Sequence, residues 1–177
     1  MATPEEFEKE KLICGIIYHD KEILGEALKL LTDEFGPIDF ECEEFSFSKE
    51  YSGYYDGELG GEGMRRICSF ERLADPSLQA EIKEFTNALE AKFSRKINLD
   101  PGFMSHGRLL LATTKPTGYR IPLKRGIYSE LTLFYARGDW HKLPWTYRDY
   151  QSEKVQYFLK RVRNRYLKQR MEENPKK

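Results

Sequence analysis

Hydrophobic positions at the start of the chain follow first a strand pattern and then a helix pattern. The segment Leu12–Tyr18 is a continuous apolar run bounded by charged residues, which is typical of a buried strand. From Lys21 to Phe35 the apolar residues recur three and four positions apart, which predicts an amphipathic helix. Asp20 is placed to cap the start of this helix, and Gly36 to end it.

Two further helices are predicted from the same spacing. One covers Ser77–Phe93, with Asp75 as its cap and Pro76 in its first turn. The other follows the segment WHKLPWTYRDY near the C-terminus. Its apolar stripe consists of Val155, Phe158, Leu159, Val162 and Tyr166.

Alternating or short apolar runs predict additional strands. The segment Ile38–Phe47 alternates and then changes phase, which indicates a strand with a bulge at Glu43 and Glu44. Arg66–Phe70 is a short strand, and Ile127–Phe134 is the second strand of a hairpin. The turn of that hairpin is predicted at Lys124, Arg125 and Gly126.

The segment NLDPGFMSHGRLLLATTK, Asn98 to Lys115, places charged and polar residues on both sides of one apolar run. Its first part predicts a strand that enters a turn at Pro101 and Gly102. Residues 105–114 fit a second strand, and a short helix capped by Ser105 is an open alternative.

The resulting order is β-α-β-β-α-β, followed by more strands and a last helix. We therefore predict a single α+β domain over 1–177, with a mixed or antiparallel sheet, a ferredoxin-like (split β-α-β) first half, additional hairpin strands and a C-terminal helix. Flexible ends are expected at 1–10 and 170–177. The glycine- and tyrosine-rich segment Tyr51–Gly63 predicts a long loop, either a lid over a site or simply mobile.

Composition places the chain among globular proteins: of 177 residues, 40% are hydrophobic and the formal net charge is zero. Residues 151–177 carry nine Lys or Arg against three Glu, which leaves +6 there and −6 elsewhere. Such a basic end is usually a solvated helix, so nucleic acid is the minority interpretation.

No apolar run is long enough for a membrane span and no signal peptide is recognisable, so we expect a cytoplasmic protein. Three isolated cysteines, Cys14, Cys42 and Cys68, lie in apolar surroundings and are expected to be reduced and buried.

Several common functional motifs are absent from the sequence. No G-x-x-x-x-G-K-[ST] occurs, which excludes a P-loop, and the glycines of GELGGEG have the wrong order for a dinucleotide-binding turn. There is no G-x-S-x-G nucleophile motif, and the three histidines share no metal-ligand spacing. The sequence therefore predicts no metal site, and it specifies neither a cofactor nor an oligomeric state.

The strongest candidate site combines side chains that follow residue 97. A carboxylate pair near Lys and Arg suits recognition of a small anionic ligand, phosphorylated or nucleotide-like, or chemistry on it. Glu130 interrupts an apolar strand and needs a partner if it is buried. The competing interpretation is an ion-pair rim at a sheet edge. The candidate ligand-binding residues are Asn98, Asp100, Lys115, Arg120, Tyr128 and Glu130.

Weaker candidates lie outside this group. His106 is a candidate acid or base, and Trp145 and Tyr147 lie in the aromatic segment LPWTYRDY, which either stacks on a ligand or attaches the last helix to the sheet. A different hypothesis makes the chain a non-enzymatic interaction module. In that case the basic C-terminal helix and the PWTY aromatics would bind a protein or RNA.

The chain resembles the prokaryotic family of the domain of unknown function 4416. The resemblance rests on the blocks CGIIYHD, FGPIDF, SFERL, FTNALE, NLDPGF, LLLATTK, GIYSELTLFY and LPWTYRDY. The family pattern has a His shortly after the Lys of ATTK, where this chain has PTGYR. Some members are described as GTP-binding, but neither a P-loop nor an N-K-x-D motif is present here to support that activity. The resemblance implies a small cytoplasmic protein.

Overall fold

The computed structural model describes residues 3–173, which form a mixed α+β fold. The strands are β1 (Glu10–Tyr18), β2 (Ile38–Glu41), β3 (Phe45–Ser46), β4 (Met64–Ala74), β5 (Ile97–Met104), β6 (Arg108–Thr113), β7 (Ile121–Pro122), β8 (Tyr128–Ala136) and β9 (Asp139–Lys142). The helices are α1 (Lys21–Phe35), α2 (Phe47–Glu50), α3 (Asp56–Leu59), α4 (Gln79–Lys92) and α5 (Glu153–Glu173), with 3₁₀ turns at Pro76–Leu78 and Asp149–Gln151.

All nine strands belong to one antiparallel sheet, in the order β2-β4-β1-β5-β6-β8-β7, with β3 paired to β4 and β9 paired to β8. The order places β4 between β1 and β2, as the predicted split β-α-β arrangement requires. The assignment to the ferredoxin-like fold itself stays a prediction.

Side chains on the two faces of the sheet form separate cores. On one face, α1 and α4 contribute Leu24, Leu31 and Ile82, which pack against β1 residues such as Leu12 and Ile16. On the other face, α5 contributes the predicted stripe residues Val155, Phe158, Leu159 and Val162. The sheet is thus covered on both sides, which explains why β1 is apolar at consecutive positions.

Several local predictions are confirmed. Helix α1 has the predicted bounds, the side chain of Asp20 accepts from the backbone N–H of Glu22 (2.7 Å), and Gly36 follows with φ 92°. Asp75 caps the turn before α4, and Pro76 stands at its first position. The strand interpretation of 105–114 is confirmed over the helical one, and Cys14, Cys42 and Cys68 are free and buried.

The predicted turn at Pro101 and Gly102 is wrong, because β5 continues through both residues to Met104. The chain reverses after Ser105, whose hydroxyl accepts from the backbone N–H groups of Gly107 and Arg108. Backbone groups of successive residues in a strand point to opposite sides, so those of every second residue point the same way, and those of Leu99 point away from β1. The missing N–H of Pro101 therefore faces the same way and removes no bond to β1.

Two other predictions need correction, and one strand was missed. The predicted strand Ile38–Phe47 is divided into β2 and β3, since residues 42–44 leave the ladder and Phe47 begins α2. The segment Tyr51–Gly63 is not entirely a loop, because it contains α3. Strand β9 was not predicted. Part of the ends predicted as flexible, residues 1–2 and 174–177, lies outside the described residues.

Candidate functional site

The sheet divides between β5 and β6, and a cavity of about 630 Å³ lies at this division. Only Gly102, Phe103 and Met104 of β5 pair with β6, whereas β6 continues beyond Leu111 along β8. The earlier residues of β5, from Ile97 to Pro101, pair with β1 alone among the described strands. Two neighbouring strands that diverge leave a concave space, the kind of place in which small-ligand sites are found.

Helix α4 supplies the partners that a strand would otherwise supply to β5. The Lys83 ammonium donates to the carbonyl oxygen of Leu99 (2.7 Å), and the Glu90 carboxylate accepts from the N–H of Leu99 (2.7 Å). Unpaired backbone groups in a buried position are costly, so these two side chains stabilise the open edge of β5. They also bring charge to the wall of the cavity.

The base of the cavity is formed by a buried ion pair. The Arg65 Nε atom lies 3.1 Å from Asp149 Oδ2, and each side chain is only 3% exposed. Burial opposes the charge of Arg65, but Asp149, Tyr150 and Asp100 outweigh it and raise the pKa of Arg65 above its usual value. A Cβ atom at Gly15 of β1 would lie 2.8 Å from Arg65 Nη2, so the glycine leaves room for this guanidinium.

Asp100 is the partly exposed carboxylate of the cavity, with 31% of its side chain accessible. It accepts from the Asn98 amide (2.7 Å) and lies 3.6 Å from Lys83 Nζ and 3.8 Å from Arg65 Nη1. The last two distances exceed those of normal hydrogen bonds. Asp100 can therefore still accept hydrogen bonds from a ligand, while the two nearby cations stabilise its negative charge.

Glu130 is 1% exposed, and its charge is matched by Arg120. The Arg120 Nε and Nη2 atoms lie 2.8 and 2.7 Å from Glu130 Oε2. The same guanidinium donates to the carbonyl oxygen of Lys115 (2.6 Å) and to the hydroxyl of Tyr147 (3.0 Å). Burial, with Glu130 adding to it, raises the pKa of Tyr147 to about 12. Arg120 thus fixes the backbone at Lys115 from behind the cavity wall.

The mouth of the cavity carries side chains from three segments of the chain. Lys115 Nζ lies 5.3 Å from the ring centre of Tyr54 and 5.9 Å from that of Tyr55, within cation–π range. Arg95 pairs with Glu58 at 3.4 Å. Between residues 3 and 173, no carboxylate lies within 4.0 Å of Lys115 Nζ. Burial, with Asp100 adding to it, raises the pKa of Tyr55 above its usual value.

The structure brings most of the predicted site residues together. Asn98, Asp100, Lys115, Glu130 and the weaker candidate Tyr147 line the cavity. Arg120 does not line it, but bonds to Glu130, Tyr147 and the backbone of Lys115. That these residues bind a ligand stays a prediction.

Three further predicted residues, besides Arg120, do not line the cavity. Tyr128 precedes Glu130 by two positions on β8 but is not part of the wall. His106 is exposed in the β5–β6 turn, at the opposite end of β5, where its carbonyl oxygen accepts from Arg163 (2.8 Å). Trp145 stacks on Tyr119 with ring centres 4.4 Å apart and donates to the carbonyl oxygen of Leu131 (2.8 Å). The Trp145 ring thus attaches its segment to β8.

Comparison with known families identifies the chain at this point. The model of the domain of unknown function DUF4416 matches residues 8–166. The chain belongs to this family. The family resemblance of the sequence is thereby confirmed. No curated protein and no solved structure matches this DUF4416 chain.

The cavity residues of this DUF4416 chain that were not predicted include four that shape its wall: Arg65, Lys83, Glu90 and Asp149. The sequence could have revealed Arg65, because a charged residue in an apolar strand needs a partner when it is buried, as was argued for Glu130. Lys83 and Glu90 lie seven residues apart and share one helix face, but a charged helix face normally meets solvent. Asp149 carried no signal, since its partner Arg65 is 84 positions away.

Basic side chains of α5 are largely engaged within the chain. Lys154 pairs with Glu50 (3.0 Å), Lys160 with Asp139 (3.0 Å) and Arg170 with Glu8 (2.7 Å). The Arg163 guanidinium lies 3.6 Å from the centre of the Tyr135 ring. These contacts favour a structural role for the helix, and docking of a protein or RNA on it stays a prediction.

Residues 3–173 contain neither a metal-binding cluster nor a membrane-spanning helix. No group of three His, Cys, Asp or Glu side chains there is arranged to hold a metal ion. Within the same range, none of the helices combines the length and apolar character that crossing a membrane requires.

Proposed function

We propose that the cavity between β5 and β6 binds a small anionic ligand, with the Lys115 ammonium as the main contact of the anionic group. The observation that carries this proposal is the position of Lys115. It lies at the mouth of a 630 Å³ cavity with two tyrosine rings nearby, and no carboxylate of the described chain pairs with it.

The other cations of the cavity already have acidic partners. Arg65 pairs with Asp149, Lys83 with Glu90 at 3.7 Å, and Arg95 with Glu58. An anion deep in the cavity would meet Asp100 and Glu90, whereas an anion at the mouth meets the unmatched charge of Lys115. The anionic group therefore belongs at the mouth, and the rest of the ligand extends inward.

The surroundings of Lys115 are suited to a fixed contact. Its carbonyl oxygen is held by Arg120, and its N–H donates to the hydroxyl of Thr113 (3.2 Å). A hydrogen bond to a charged group contributes about 1.5–3 kcal/mol, so loss of the ammonium should weaken binding roughly tenfold or more.

Isothermal titration with inorganic phosphate, pyrophosphate and hexyl phosphate tests this proposal. At least one of these probes should bind the wild-type protein, and Lys115→Ala should weaken its binding at least tenfold. Lys29→Ala, which removes an exposed lysine from α1, is the matched control and should leave binding unchanged. The proposal fails if Lys115→Ala and Lys29→Ala bind equally well, or if neither these probes nor a hydroxylated anion binds the wild type.

A further inference from the structure

The cavity is lined by apolar side chains such as Ile17 and Leu111 and also by polar groups that donate and accept hydrogen bonds. Besides Asp100, the polar groups include two amides, Asn87 and Asn98, and the hydroxyl of Thr113. The side-chain amide of Asn98 donates one N–H to Asp100, and the oxygen of the same side-chain amide has no hydrogen bond among residues 3–173. The Asn87 side chain has no hydrogen bond within the same range. A ligand that fills this space is therefore surrounded by groups able to bond to it.

The arrangement of charge around Asp100 restricts the inner group of the ligand. An ammonium would lie close to Lys83 and Arg65, which already flank Asp100 at 3.6 and 3.8 Å. A second anion would be repelled by Asp100 and Glu90. A hydroxyl group is neutral and both donates and accepts, so it can bond to carboxylate and amide alike.

We infer that the ligand is a polyhydroxylated anion, a sugar phosphate or a sugar acid, whose hydroxyl groups bond to Asp100 and Asn98. This inference rests on the proposed function, because it uses Lys115 as the contact of the anionic group. It adds a specificity role for Asp100, which accepts hydrogen bonds from hydroxyl groups that a simple anion lacks.

Titration of the wild-type protein with paired probes tests this inference without any substitution. Glucose 6-phosphate and ribose 5-phosphate carry hydroxyl groups, and hexyl phosphate carries the same anionic group without them. At least one sugar phosphate should bind tenfold or more tightly than hexyl phosphate. A parallel pair, gluconate and hexanoate, distinguishes a sugar acid from a sugar phosphate. If no hydroxylated probe binds better than its alkyl counterpart, the inference is overturned.

The variant Asp100→Asn tests whether Asp100 is responsible for the preference for hydroxylated probes. It should weaken binding of the preferred hydroxylated probe roughly tenfold and leave hexyl phosphate unchanged, because a charge-assisted hydrogen bond is replaced by a neutral one. Glu26→Gln removes the same charge from an exposed position on α1 and should change the binding of neither the hydroxylated probe nor hexyl phosphate. Circular dichroism verifies the fold of each variant, and the wild-type comparison stands even if Asp100→Asn fails to fold.

The two proposals fail in different ways. Equal binding of sugar phosphates and hexyl phosphate, both weakened by Lys115→Ala, would keep the anion site and reject the polyhydroxylated ligand. An unchanged preference in Asp100→Asn would also reject it. Absence of binding by every probe would overturn both proposals.

Discussion

Lys83 of α4 donates to the carbonyl oxygen of Leu99 on β5, over 2.7 Å, and so takes the place of the strand that β5 lacks there. Glu90 completes the arrangement by accepting from the N–H of the same residue. Because a helix rather than a strand satisfies this edge, β5 and β6 are free to separate. The cavity is thus a consequence of how α4 packs.

Lys83→Met should lower the free energy of unfolding by about 1–3 kcal/mol, because the carbonyl oxygen of Leu99 loses its buried donor and Glu90 loses the ammonium that lies 3.7 Å away. Urea unfolding followed by circular dichroism measures this. Lys92→Met, an exposed lysine at the end of the same helix, should have a much smaller effect. Equal stabilities of the two variants would contradict the role of Lys83.

Gly102→Ala should destabilise the fold by about 1–3 kcal/mol, the usual range for a group forced into a packed position. A Cβ atom at Gly102 would overlap the carbonyl oxygen of Leu110 on β6, where the two strands are still paired. The control is Gly118→Ala, since a Cβ atom there has no neighbour within 4 Å. Thermal unfolding of both variants should separate them clearly, and a Gly102→Ala protein as stable as the control would argue against this close approach.

Asp149→Asn should destabilise by about 3–5 kcal/mol, because it leaves the buried guanidinium of Arg65 without its nearest carboxylate. The double variant Arg65→Met with Asp149→Leu should recover much of this loss, since it removes both buried charges. For comparison, Arg95→Met breaks the exposed pair with Glu58 and should change stability by about 0–1 kcal/mol. A small effect of Asp149→Asn would contradict this role, and would show that Asp100, 3.8 Å from Arg65 Nη1, is sufficient as the partner of Arg65.

Burial raises the pKa of Glu90 above its ordinary value of 4.5, although Lys83 opposes the shift. The folded protein therefore binds this proton more tightly than the unfolded chain does. Its contribution to stability is fully present below pH 4.5 and is lost as the pH rises through the raised pKa. The free energy of unfolding of the wild type, relative to Glu90→Gln, should fall over that window.

Urea unfolding of both proteins between pH 4 and 8 measures this difference. Glu26→Gln, at an exposed position of α1, should show no such window. If the difference in unfolding free energy between the wild type and Glu90→Gln is constant with pH, or changes in the opposite direction, the raised pKa of Glu90 is contradicted.

Local elements of this protein were determined by the sequence alone. The apolar spacing from Lys21 to Phe35, with Asp20 and Gly36 beside it, was sufficient for the bounds of α1. The other elements were equally clear. Burial on both faces gave β1 a continuous apolar run, and burial on one face left a period in the apolar positions of β8 and α5. The cluster of Asp100, Lys115, Arg120 and Glu130 was also predicted, since charges beside or within apolar strands require partners.

The tertiary structure alone decided how these parts meet. Pro101 and Gly102 have the composition of a turn, but both pair with β1, and Gly102 also pairs with Leu111 of β6, which keeps the chain extended. Arg65 and Asp149 become partners only when β4 and the segment before α5 come together over Gly15. Such long-range pairs leave no period in the sequence, because the burial that makes each charge need the other arises only when the sheet and its helices have packed.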